Sequence, residues 1–394
     1  MKFMKRSTFI IIILAILFTF INFSTLEAAE DEDISLLPQV IEKIDLGTME
    51  DFKQQIDGEV SNYINHKSVK EWLLDFISGN WQLDTGEIMQ NMGKYFWGEV
   101  SANFNLLGKL LVLSVLSALL INLPGAFSSG VSRIAQMACF MALTAIALGS
   151  FRLVLGIGQQ TIDQMTSFML GMLPQMLVLV AGLGNINASM MLFPVLMTTA
   201  TAFATAMKTI VFPLIILSAI LNLANQISGT IKVERLAKFF GQMAQLSLGF
   251  ILTVFVGILT LRSLYASVMD KVALRTTRFV TDNAIPLVGK MFSDTIEVTA
   301  GYVVMLKQAL GIFGVIIILG IILFPLIKIA VIALIYKVAA AIAEPLGDGR
   351  TAAILETMST HLFMMLAAVT AVGLMFFIMI AIVVGTTNHL ASFS

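Results

Sequence analysis

Long apolar runs dominate the chain from residue 104 onward, and polar positions interrupt them only briefly. Runs at 104–123, 134–151, 165–184, 190–207, 209–226, 244–261, 309–326, 329–343 and 362–384 approach the roughly 20 residues that span about 30 Å of hydrocarbon. The pattern predicts an all-α, polytopic helical membrane protein with about seven to nine spans. The stretch 190–226 reads either as two spans or as a pair broken around Lys208. Ahead of these runs, Lys2, Lys5 and Arg6 precede an apolar stretch at 8–23 and the small residues Ala28 and Ala29. This predicts a signal sequence over 1–29, either cleaved or kept as an anchor. In both cases the positive end stays in the cytoplasm and the next segment is exported.

That segment, 30–100, carries 15 Asp and Glu against 5 Lys and Arg, whereas residues 101–394 carry 16 basic and 9 acidic side chains. Apolar residues recur at helical spacing over 38–64 and 69–77, with Val69, Trp72, Leu73 and Phe76 on one face. Trp72, Trp81, Tyr95, Phe96 and Trp97 mark the approach to a bilayer, where amphipathic rings favour the interface. A small helical extracytoplasmic segment follows, serving either as a partner-binding module or as a solvated acidic face. Residues 101–394 form the polytopic membrane domain.

Composition strengthens the membrane reading and removes several function classes. The chain is 58% hydrophobic and 12% charged, against about a quarter charged in a soluble domain. The basic residues are spread thinly between apolar runs, which is no nucleic-acid footprint. Cys139 is the only cysteine, so no internal disulfide is available and no cysteine-based metal site is expected. Gly-Lys occurs at Gly93, Gly108 and Gly289, but no Ser or Thr follows, so no Walker-type phosphate loop exists. His66, His361 and His389 lie far apart and make no HExxH. No enzyme activity, cofactor or metal is expected.

Two windows resemble each other at a spacing of 112 residues. The tetrapeptide FPLI occurs at 212–215 and again at 324–327, and Pro174 and Pro286 keep the same spacing. Arg152 and Arg262, 110 apart, close the apolar helices that come before. These matches predict repeats over about 133–243 and 244–384, an arrangement that recurs in transport folds but also in scaffolds. The segment 275–297 takes the place of the apolar 164–184 of the first copy, yet it carries three basic and three acidic side chains. It reads as an amphipathic helical hairpin broken at Pro286, lining a wet cavity or lying at the interface, or else as a solvated loop helix. Arg275, Arg278, Asp282, Asn283, Pro286, Lys290 and Asp294 are its candidate partner or gate residues. Span parity leaves the side of 262–308 open.

Polar residues inside the spans are the remaining candidates. Asn222, Asn225 and Gln226 share one helix face, and Lys337 and Glu344 lie seven apart on another. Buried charge at membrane depth is costly, so such groups pair or meet water. The five residues form a candidate polar path for a hydrophilic solute; the competing reading is interhelical hydrogen bonding. Lys208 and Lys328 are expected to snorkel.

The segments ISGTIKVERLAKFFGQ, from Ile227, and RTTRFVTDNAIPLVGKMFSDTIEVTAGYVVMLKQALGI, from Arg275, resemble the stage III sporulation protein AE family of endospore-forming bacteria. The resemblance is most specific over about 225–315. It implies a membrane component of the channel, or feeding tube, between mother cell and forespore. The implied site is the mother-cell membrane around the forespore, with the acidic segment in the intermembrane space. The implied partners are the other stage III A operon membrane proteins, including an ATPase and ring-forming components, and the forespore-side channel protein, with lipid and a possible homo-oligomer besides. The family brings no catalytic residues to carry over. Three roles stay open: a translocation core driven by the separate ATPase, a stand-alone secondary transporter, and a non-conducting platform for the ring proteins.

Overall fold

The structure, a computed structural model, describes residues 47–60, 68–77, 85–122, 129–182, 186–227, 232–284 and 289–385. Over 262–284 and 289–302, as over 56–60 and 186–192, only the backbone is described. The expected signal at 1–29 lies outside these residues. Every described element is helical: α1 (Gly47–Val60), α2 (Val69–Ile77), α3 (Thr85–Ala102), α4 (Phe104–Asn122), α5 (Ser129–Gly182), α6 (Ile186–Ala206), α7 (Phe212–Ile227), α8 (Glu234–Ala284), α9 (Gly289–Ala343) and α10 (Gly349–Gly385). A π turn, Met207–Val211, joins α6 to α7, and a 3₁₀ turn, Glu344–Leu346, joins α9 to α10.

Among the described residues, six helical stretches are long and apolar enough to cross a membrane: Phe104–Ile121, Ile134–Ala181, Phe193–Gln226, Glu234–Leu261, Val303–Leu346 and Gly349–Val384. Several expected breaks between spans are absent. The polar interval around Gln159, Gln160 and Asp163 holds no proline, so α5 runs straight through it and turns these side chains partly or wholly outward. Arg152 and Arg262 therefore sit inside helices rather than closing them. The second FPLI likewise lies within α9. At 48 residues, Ile134–Ala181 is about 72 Å long, more than twice the hydrocarbon thickness, so it cannot lie in hydrocarbon along its whole length.

α9 and α10 form the central antiparallel hairpin. Glu344 and Pro345 open the 3₁₀ turn, and Gly347 reverses the chain with φ 87°. Asp348 then caps α10, accepting the Thr351 N–H at 3.0 Å, while its carbonyl accepts the Ala352 N–H at 3.1 Å. Gly311 and Gly373 allow close approach along the seam: a Cβ on Gly311 would lie 2.2 Å from Val384 Cγ2, and one on Gly373 would lie 2.3 Å from Ile322 Cδ1. The Ser359 hydroxyl donates across the same seam to the Ala333 carbonyl at 2.9 Å. α5 packs on both helices of the hairpin. α8 packs on both α6 and α7, α7 and α8 also lie against α10, and α4 lies on α5 and α9. Phe168, Phe212, Phe255, Phe313, Tyr336 and Phe376 fill the interior.

The acidic N-terminal helices pack against the bundle. A capping box starts α2: the Ser68 N–H donates to Glu71 Oε2 at 2.9 Å, and the Glu71 N–H donates to Ser68 Oγ at 3.2 Å. The Val69 N–H donates to Glu50 Oε2 of α1 at 2.8 Å. The predicted apolar face of α2 is turned inward, with Val69 and Leu73 fully buried. Aromatic contacts fasten the segment to the bundle: Phe52 on Phe168, Trp72 and Phe76 on Phe313, and Tyr95 on Phe324. Their outer faces show Asp51, Gln54, Gln55, Lys70 and Glu71.

Candidate functional site

The hairpin places one ion pair on the outside of the apolar helices. Folding back about Leu346 and Gly347 brings position 337 of α9 opposite position 356 of α10, and Lys337 Nζ meets Glu356 Oε1 there. The side chains are 52% and 46% exposed, although both residues lie inside apolar stretches long enough to cross a membrane. Around Lys337 the outward row of α9 is apolar: Leu334, Val338, Ala341 and Ile342. Charge on a lipid-facing helix is expensive, so such residues in membrane proteins face water or other protein.

Polar bonds buried in the bundle do different work. Ser218 Oγ of α7 donates to the Ala237 carbonyl of α8 at 2.8 Å and lies 2.9 Å from His361 Nε2 of α10. His361 Nδ1 lies 2.7 Å from the Thr357 carbonyl. Gly241 gives room for this crossing, since a Cβ there would sit 3.0 Å from Ser218 Oγ. Tyr336 Oη donates to Ser150 Oγ at 2.9 Å, tying α9 to α5. Lys307, fully buried, donates to the Val384 carbonyl at 2.7 Å and so closes the last turn of α10. These bonds satisfy groups that would otherwise be unpaired in an apolar interior; none leads toward a reacting atom.

The five predicted path residues do not converge. Asn222 Nδ2 donates to the Ser218 carbonyl at 3.0 Å, and Asn225 Oδ1 accepts the Val233 N–H at 3.2 Å, ordering the entry to α8. Gln226 is half-buried in the same last turn of α7. Lys337 and Glu344 are on α9 and its exposed 3₁₀ turn; α9 packs on α10, and α10 on α7, so α10 separates the two groups. Lys337 pairs with Glu356 rather than Glu344. Lys208 and Lys328, expected to snorkel, have acidic partners. Lys208 meets Asp163 from the π turn, and Lys328 Nζ lies 3.9 Å from Glu99 Oε1. Of the charged segment, Arg275, Arg278, Asp282 and Asn283 fall in the end of α8, and Lys290 and Asp294 in the start of α9. Their side chains, and Pro286, lie outside the described residues.

Glu356, Asp163 and Glu99 were not singled out by sequence. For Glu356 a signal existed: the turn residues EPLGDG set a hairpin axis, and reflecting Lys337 through it lands on Glu356. Asp163 and Glu99 had no comparable local signal.

Comparison with known proteins adds what geometry cannot. A family model described as Stage III sporulation protein AE matches residues 67–387. A relative with that description from Bacillus subtilis (strain 168) is 35% identical over 323 residues, covering 82% of this chain and 81% of the relative. No solved structure matches the chain.

Proposed function

Because this chain belongs to the stage III sporulation protein AE family and is a sporulation membrane protein, we propose that it is the membrane core of the mother cell–forespore channel complex. In this reading it sits in the mother-cell membrane around the forespore, with α1, α2 and α3 in the intermembrane space. A separate ATPase and ring-forming proteins of the same operon, with the forespore-side protein, complete the machine. The chain itself performs no covalent chemistry.

The observation that supports this reading is the half-exposed Lys337–Glu356 pair on the outer face of the apolar helices. The described interior is filled with large apolar side chains, so a hydrophilic solute would run along that face, between the bundle and its neighbours. The platform role draws support from one further observation: α1 and α2 spend their aromatic faces on the bundle and turn charged residues outward.

Thiol accessibility in sporulating cells separates the roles. Cys139→Ala supplies the background, and single cysteines replace Asn222, Asn225, Gln226, Lys337 and Glu344 in turn. A charged thiol reagent should label Lys337→Cys and Glu344→Cys when the complex is whole and lose Lys337→Cys when its partners are deleted. Labelling that persists without partners favours a stand-alone transporter. Silence at all five positions, in cells that still sporulate, leaves the platform.

A further inference from the structure

The pair Lys337–Glu356 has a self-complementary character that points to its neighbour. One cation and one anion sit side by side on the outer face of the α9–α10 hairpin, flanked along α9 by the exposed Leu334, Val338 and Ile342 and by the small, exposed Ala341. Lipid tails suit the apolar flank but offer nothing to the charges.

We propose that this face is the contact between two copies of the chain, related by a two-fold axis, with Lys337 of each copy meeting Glu356 of the other. A two-fold contact uses the same patch twice and must be complementary to itself. A patch with one charge of each sign beside an apolar row meets that condition, and Ala341 lets the helices come close. The four charges then lie together, screened from lipid by the Leu334, Val338 and Ile342 rows of both copies but open at one edge to water. The path proposed above would run beside this contact. The inference rests on the reading of this face as the functional one, but its test reports neighbours, whereas thiol labelling reports water, so each can fail alone.

The test uses the full chain in membranes, in the Cys139→Ala background, with Val338→Cys and two different affinity tags. A short bis-maleimide cross-linker should join two copies of the otherwise unaltered chain. Lys337→Glu copies alone place only anions at the contact, and Glu356→Lys copies alone place only cations. Each should lose the cross-link by about tenfold or more, as like charges in a contact demand. Cells making one tag with Lys337→Glu and the other with Glu356→Lys should regain the cross-link between the two tags. Neither variant keeps its own internal pair, so the regained signal can come only from charges exchanged between copies, and it exceeds what misfolding of either variant could produce. If neither charged variant accumulates, the neutral Lys337→Gln, Glu356→Gln double variant should accumulate and lose the cross-link. Three results overturn the proposal: no cross-link in the unaltered chain, a cross-link indifferent to charge, and a mixed pair no better than the single variants.

Discussion

Replacing Gly311 by Ala tests the close seam between α9 and α10. The new Cβ would lie 2.2 Å from Val384 Cγ2, against about 3.5–4.0 Å for an ordinary carbon contact. One of the two must therefore yield by about 1.5 Å. Val384 is stiff at χ1, so the end of α10 moves rather than the side chain, and the Lys307–Val384 bond at 2.7 Å is strained with it. Overpacking of this kind costs about 1–3 kcal/mol, while Ala gains about 1 kcal/mol over Gly in helix propensity. The net cost is therefore about 0–2 kcal/mol. Gly314→Ala meets the Met172 thioether at 2.5 Å instead. That chain has three rotatable bonds and moves aside, so the two terms nearly cancel. Gly156→Ala meets nothing within 4 Å and keeps its full gain of about 1 kcal/mol. Unfolding of the purified protein in mixed detergent and SDS reads all three. The midpoints should rank Gly156→Ala above the parent, Gly314→Ala beside it and Gly311→Ala lowest. Gly156→Ala and Gly311→Ala should differ by about 1–3 kcal/mol, a shift in equilibrium of roughly fivefold to 150-fold. If Gly311→Ala were as stable as Gly156→Ala, the close seam would be wrong.

Two further substitutions probe the polar ties. Ser218→Ala removes the donor to the Ala237 carbonyl and the neighbour of His361 Nε2; the same unfolding assay should show a loss of about 1–3 kcal/mol, with helix content unchanged by circular dichroism. Lys307→Met keeps the shape of a fully buried chain while removing its charge, so it should cost much less than Lys307→Ala, which leaves a cavity worth about 2–5 kcal/mol.

The helical membrane class was legible because hydropathy over some 20 residues is a local property. The inward face of α2 was equally legible, since Val69, Trp72, Leu73 and Phe76 repeat at helical spacing. The continuity of α5 was not. Gln159, Gln160 and Asp163 look like a loop in a hydropathy trace, but on a helix they share an outward side and need no break. Pairing was harder still. Asp163 reaches Lys208 across 45 residues because α5 and the α6–α7 helix run side by side, which no local pattern states. The Lys337–Glu344 spacing was read along one helix, whereas the bond that forms crosses a hairpin. Docking of the acidic segment was hidden for the same reason: Trp72 and Tyr95 read as interface anchors, and their partners Phe313 and Phe324 lie more than 200 residues on.

The central claim is that the Lys337–Glu356 pair serves the assembled sporulation machine rather than the stability of one bundle. Counting heat-resistant spores from cells carrying Lys337→Glu, Glu356→Lys or both tests it most directly, with accumulation of each variant followed by blot. The account predicts that each single reversal accumulates, because the pair is half exposed and such pairs contribute about 0–1 kcal/mol. It predicts that each single reversal nevertheless loses spores by orders of magnitude, and that the double reversal recovers them. Full spore yield from either single variant would contradict it.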